Sequence, residues 1–359
     1  MKAGRSISAI AAELERQAAS KKDYIADTRK LTMRTAKTGE EGNVIMDGVN
    51  GGMPLRPTAH GQLAASLAIP KQYYDRMLSE TPDLLAANVN RWLERQPAKK
   101  LIRTLDNSIR AVLSDSYRPL DNFDLAEAVL PKIMDLGAEI QSTEVTESRF
   151  YLKATTDRVK GEPKVGDVIY AGVVVSNSEV GHGSLRVEEM DFRLVCTNGM
   201  IRNHAIRKAH LGRSQRGADA IEDAREFFKD ATRLADDRAF FLKTQDAVAA
   251  MFNPDRFAER IKQYAEAAAV TIEADPVKVI EFTARRFNLL DGERSTIMKH
   301  LVKGGDLSAW GVANAVTRTA QDVESYDRAT ELEAIGGDII ELPRSAWRTL
   351  DTKAVTVPV

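Results

Sequence analysis

Cysteine is nearly absent: Cys196 stands alone in 359 residues, so no internal disulfide can form, and five scattered histidines supply no zinc cluster of the Cys/His type. A reducing cytoplasm is the expected setting. Apolar runs long enough to span a bilayer are missing, and the N-terminal stretch MKAGRSISAIAAELERQAAS is charged and amphipathic, without the apolar core of a secretion signal. The chain is therefore expected to be neither secreted nor membrane-spanning. Internal repeats and low-complexity tracts are also lacking. There is no GxxxxGK[ST] phosphate loop, no HExxH and no GxSxG, and the GHGS at 181–184 lacks Rossmann spacing, which argues against an ATPase or a dinucleotide enzyme.

What is present is ordinary in bulk and uneven in detail. With 43% apolar and 29% charged residues the chain can bury a real core, and its length suggests two domains or one domain with a helical annex. The net charge of −1 hides a division: residues 1–216 hold 32 Lys and Arg against 27 Asp and Glu, while residues 217–359 hold 19 against 25. The sharpest local feature is 201–216, which carries Arg202, Arg207, Lys208, Arg213 and Arg216 and no acid. A second basic region, 21–37, includes Lys21, Lys22, Arg29 and Lys30.

Periodicity divides the chain into three. Residues 1–100 read as a helical segment with basic and Gly/Pro loops: a first helix, a polar stretch to residue 45, then QLAASLAI, KQYYDRML and LLAANVNRWL separated by Pro70 and Pro82. That arrangement invites a DNA-reading helix-turn-helix with Lys71, Gln72 and Arg76 as groove contacts, or a plain helical hairpin burying Leu63, Leu67, Tyr73 and Leu78. Residues 101–216 alternate as strands should, with Ile109, Ala111 and Leu113 against Arg110, Val112 and Ser114, and Phe150, Leu152 and Ala154 against Arg149, Tyr151 and Lys153. On LRVEEMDFRLVC, Met190, Phe192, Leu194 and Cys196 share one face and Glu189, Asp191 and Arg193 the other, which makes Cys196 a buried structural thiol, with a Thr197-Asn198-Gly199 turn behind it. Residues 217–359 read as helices, with GGDIIEL as a terminal strand candidate. The expected class is α+β: a central, mainly antiparallel sheet, a helical N-terminal segment and a largely helical C-terminal half.

The blocks RAVLSDSYRPLDNFDL, VVSNSEVGHGSLRV and LVCTNGMI, in that order, resemble the phage/plasmid-like protein family catalogued as domain of unknown function 932. The resemblance runs from about residue 30 to the C-terminus and takes in QLAASLAIPKQYYDRM and WGVANAVTRTAQDVESYDRATELEAIGG. It implies a mobile-element setting in a bacterial cytoplasm and carries over no catalytic residue.

Three functions are compatible with these residues. The first is a non-enzymatic nucleic-acid binder, single-stranded DNA favoured, acting in recombination or replication and assembled as a homo-oligomer. Arg202, Arg207, Lys208, Arg213 and Arg216 would follow the phosphates, assisted by Lys21, Lys22, Arg29 and Lys30, and Tyr117, Tyr151, Tyr170 or Phe192 would offer stacking faces. The second is a Mg²⁺-dependent nuclease or phosphoryl-transfer enzyme using Asp115, Asp121, Glu179, Glu188 and Asp191, the one reading that needs a cofactor. The third is a structural or host-interaction protein that docks through its acidic helical half.

Overall fold

The computed structural model describes residues 1–117, 119–202, 206–208, 230–271 and 275–342. Ser6 starts the first helix, α1 (Ile7–Ser20), by accepting a hydrogen bond from the Ala9 amide at 3.3 Å, and the helix buries Ile10 and Leu14 one turn apart. The next stretch, expected to be a polar segment, forms strands β1 (Lys22–Asp27), β2 (Thr32–Thr35) and β3 (Val44–Asp47), with a short β4 (Met53–Pro54) after them. Strands β2, β3 and β4 make one small antiparallel sheet, with Met33, Val44 and Met46 buried beneath it.

Three helices follow: α2 (Pro57–Ser66), α3 (Lys71–Glu80) and α4 (Pro82–Arg95). Their inward faces carry Leu63, Leu67, Tyr74, Met77, Leu85 and Val89. Tyr74 and Met77 point inward; of the expected pair, Tyr73 is 47% exposed and Leu78 is half-buried against the same core. The outer face of α3 carries the ion pairs Lys71–Asp75 and Arg76–Glu80, each one turn apart, which leaves Tyr74 rather than Tyr73 on the core side. Strands β5 (Lys99–Leu105) and β6 (Ser108–Ser114) then join β1 in the order β1-β5-β6. The hydrophobic cluster of this part runs from Leu31 to Val112.

The central sheet is antiparallel and built in hairpin succession. Helix α5 (Asn122–Asp135) leads to β7 (Glu139–Val145), β8 (Phe150–Gly161), β9 (Ile169–Asn177), β10 (Leu185–Arg193) and β11 (Asn198–Ile201), side by side in reverse order, while β12 (Ile206–Lys208) pairs with the first half of β10. Helices α6 (Asp230–Met251), α7 (Pro254–Ala268), α8 (Pro276–Phe287), α9 (Asp291–Gly304), α10 (Ala309–Thr319) and α11 (Tyr326–Ile340) complete the described chain. As the sequence signals at 253 and 275 predict, Asn253 caps α7 and Asp275 caps α8, each followed by proline. The whole is α+β.

Two expectations fail for one physical reason. GGDII is the last turn and a half of α11, not a strand: a β-carbon at Gly336 would lie 2.2 Å from Thr317 Cγ2, and one at Gly337 would lie 2.0 Å from the Ile201 carbonyl oxygen. The glycines let α11 press against α10 and β11. The charged strand faces are likewise not solvated: Arg110, Lys153, Glu189 and Asp191 are all buried. The C-terminal helices cover the sheet and bring opposite charges with them. Lys153 Nζ donates to Glu333 Oε2 of α11 at 2.6 Å, with both side chains fully excluded from solvent and the Tyr326 ring 4.7 Å from the ammonium.

Removing one partner of such a pair strands a charge in the interior. Lys153→Met should therefore lower unfolding stability by about 3–5 kcal/mol, while Lys153→Met combined with Glu333→Leu should recover most of the loss. Urea midpoints of the two variants against the parent chain check this.

Candidate functional site

Two of the polar blocks singled out in the sequence meet. Block 110–122 lies on β6 and the start of α5, block 177–182 lies in the loop between β9 and β10, and the two close on each other at the seam between the N-terminal sheet and the central sheet. The Glu179 carboxylate pairs with Arg110 through Oε2 and accepts the Asn122 amide through Oε1 at 2.6 Å. Asn177 Nδ2 donates to Asn122 Oδ1 and to the Leu120 carbonyl, each at 2.8 Å, and the Tyr117 hydroxyl donates to the Ser178 carbonyl at 3.1 Å. Burial pushes the Tyr117 phenol up to about 12, so it remains a donor across the ordinary pH range.

Arg103 is the hub of the seam. It sits on β5 within the buried stretch LIRTL, and its guanidinium is completely buried. Nε donates to Asp23 Oδ1 at 2.9 Å, Nη1 to the Glu179 carbonyl at 2.8 Å and Nη2 to Asp121 Oδ1 at 2.9 Å. Lys21 pairs with the other oxygen of Asp121. Burial works against the charged form of Asp121, but Arg103 and Lys21 outweigh it and hold the carboxyl below the usual carboxylate range. One arginine thus joins β1, the 178–184 loop and the start of α5.

A second buried network covers the charged face of β10. Arg260 of α7 donates to Asp191 at 3.0–3.2 Å and pairs with Glu189 at 3.0 Å, and the Tyr264 hydroxyl donates to Asp191 as well. Arg256 pairs with Glu189 at 3.0 Å. Arg202, just beyond β11, lies against this group: its Nε is 3.0 Å from Glu341, Nη2 donates to Gln263 at 2.6 Å, and its guanidinium stands 5.5 Å from the Tyr264 ring centre.

The expected phosphate-contacting residues therefore divide. Lys22, Arg29 and Lys30 are exposed, with Arg29 paired to Asp27 at 2.6 Å. Lys21 is engaged with Asp121, and Arg202 is only 3% exposed, so both anchor the fold rather than line its surface. Arg207 and Lys208 lie on β12, whose backbone register sets them opposite Arg186 and Leu185; Arg213 and Arg216 lie outside the described residues. Of the stacking candidates, Tyr117 and Tyr170 are half-buried, while Phe192 and Tyr151 are buried, Tyr151 with its ring 5.3 Å from that of Tyr326.

The carboxylates of the nuclease reading lie at several places in the fold. Asp115 is exposed at the end of β6, Asp121 and Glu179 are neutralised within the seam, Glu188 is buried on β10, and Asp191 is held by Arg260 at the far end of that strand. Among the described residues no group of three or more His, Cys, Asp or Glu side chains is placed to hold a metal ion. Cys196 differs too: β10 ends at Arg193, Leu194 and Val195 are 37% and 64% exposed, and the thiol is half-buried in the turn 194–197, which Thr197 closes with a φ of +52°.

Arg103, Arg260 and Glu333 were not singled out from the sequence, yet each left a signal. Arg103 interrupts an apolar strand, and Arg260 falls on the stripe Phe257, Arg260, Tyr264 and Ala267. A charge on an apolar stripe points to a buried partner.

An antiparallel sheet closed on both faces by helices, with its interior charges matched across the elements, defines this as an α+β protein whose polar sequence blocks serve first to lock the fold. Residues 110–347 match the family described as Domain of unknown function (DUF932), and the chain belongs to it. No curated protein and no solved structure matches the chain. Among the described residues no helix is long and apolar enough to cross a membrane.

Asp121, with a depressed folded value, contributes stability that is complete above its unfolded value of about 3.9 and lost as pH falls from there through the folded value. Asp121→Asn should remove that acid-side loss and lower stability at neutral pH by about 2–4 kcal/mol, since Arg103 loses a buried partner. Urea midpoints at pH 7 and pH 3 for parent and variant test both parts.

Proposed function

We propose that the protein binds single-stranded nucleic acid along its phosphate backbone, without catalysis, in the phage or plasmid setting that the family resemblance implies. The contacting set is Arg207, Lys208, Arg213 and Arg216, assisted by Lys22, Arg29 and Lys30.

The observation that supports this reading is that Lys22 and the pair Arg207 and Lys208 are both tied through the backbone and Arg103 to one loop, 178–184. Arg207 stands in register with Arg186, and Lys208 with Leu185, the residue at which the 178–184 loop enters β10. Asp23, next to Lys22, holds Arg103, which holds the Glu179 carbonyl of the same loop. Regions some 180 residues apart in sequence thus flank one loop. Arg186 adds a further cation at this register position of the pair. Glu189 and Asp191 of β10 pair with Arg256 and Arg260, and Glu179 of the adjoining loop pairs with Arg110. A phosphate backbone is the extended anion that suits such a strip, because neutralising it releases counterions whatever the base sequence. In a homo-oligomer, strips aligned along one groove would add their charges.

Fluorescence anisotropy of a labelled single-stranded oligonucleotide over a salt series tests the proposal. Binding should weaken steeply with salt and show little sequence preference, and the triple variant Arg207→Ala, Lys208→Ala, Arg213→Ala should reduce the log–log salt slope by about 2, at roughly 0.7 per lost phosphate contact. An unchanged slope removes the tract from the interface, and absence of binding at low salt ends the reading.

A further inference from the structure

At the Arg193 end of β10, away from the seam, lies a cavity of about 530 Å³. Its wall is made by the turn 194–197, the end of α9 and the outer face of α10, and its charged or nucleophilic lining residues are Arg193, Cys196, His300, Lys303, Asp306 and Arg318. Along the nine residues of β10 it stands roughly 26 Å from the position opposite Lys208, at about 3.3 Å per residue. It is therefore distinct from the proposed nucleic-acid strip.

The charges around the cavity do not cancel. Arg193 is neutralised by Asp167, with Nε to Oδ1 at 2.5 Å and Nη2 to Oδ2 at 2.8 Å, and the Trp310 indole also donates to Asp167. Asp306 is neutralised by Lys164 at 2.7 Å, and His300 faces Asp322 at 2.5 Å. Two cations remain. Arg318 donates only to neutral oxygens, the Cys196 carbonyl at 3.0 Å and the Gln321 side chain. Lys303 is exposed at the end of α9, and no carboxylate among the described residues pairs with it or with Arg318.

We propose that this cavity is a binding site for a small phosphomonoester of about nucleotide size. A terminal phosphate carries close to two negative charges at neutral pH, which matches the two unneutralised cations, whereas a single carboxylate would leave one of them uncompensated. The volume falls within the range of pockets that enclose small organic ligands. The guanidinium of Arg318 is already held in place by the Cys196 carbonyl and Gln321, so little side-chain freedom is lost when an anion arrives.

Cys196 reports on the site directly, because it is the chain's sole cysteine and lies half-buried in the cavity wall. The experiment is the rate of its alkylation by iodoacetamide in the full chain, followed by intact mass, with adenosine monophosphate or adenosine at matched ionic strength. Adenosine monophosphate should slow alkylation and adenosine should not. Arg318→Gln should weaken the protection about tenfold, as loss of a charge-assisted hydrogen bond requires. Lys303→Gln, an exposed position that leaves the fold intact, should weaken it in the same direction. Equal rates with and without the monophosphate overturn the proposal. So does equal protection by adenosine, or protection that survives both substitutions.

Discussion

An ionised side chain taken out of water must meet its opposite, and this requirement governs how the molecule is put together. The central sheet presents Lys153, Glu189 and Asp191 on strands whose other residues belong to the core. Covered by apolar helices, these strands would not hold. They are covered instead by helices that carry Glu333, Arg256 and Arg260 at matching positions, and Arg193 at the strand end finds Asp167 in the turn between β8 and β9. The C-terminal half is consequently no annex. It completes the charge balance of the sheet, and neither part reaches its lowest free energy without the other.

The same requirement explains which features were legible in the sequence. Helices α1 to α4 and the capped starts of α7 and α8 follow from turn residues, prolines and apolar spacing, all of which act locally. The strands at 108–114, 150–161 and 185–193 are visible from alternation. What alternation cannot convey is whether the charged side meets water or another charge, because Lys153 and Glu333 are 180 residues apart. GGDII misled in a related way: its glycines and β-branched pair suit a strand end in isolation, and only the closeness of Thr317 and Ile201 makes them a helical contact surface.

The polar blocks repeat the lesson at the candidate site. Their residue types suggest either caps or metal ligands, and the sequence leaves both open. One guanidinium tied to Asp23, Asp121 and the Glu179 backbone makes Arg103 a structural pin between two sheets. It does so from within an apolar strand, where its charge is itself the clue that a partner lies across the interface.

Charge segregation then shapes the surface. Each carboxylate on the charged faces of β5 to β10 that closes on an interior arginine or lysine is one fewer acid to neutralise cations elsewhere. The chain as a whole is nearly neutral, with 51 basic and 52 acidic side chains, yet tract 201–216 has no acid of its own and the sheet beside it holds Glu179, Glu189 and Asp191 inside. In the proposed binder, a chain with almost no net charge would in this way offer a basic strip without the high isoelectric point expected of nucleic-acid binders. On the proposed reading, the strip's affinity for phosphate depends on the interior pairs remaining closed, so the ionic interactions that hold the fold also set the surface potential.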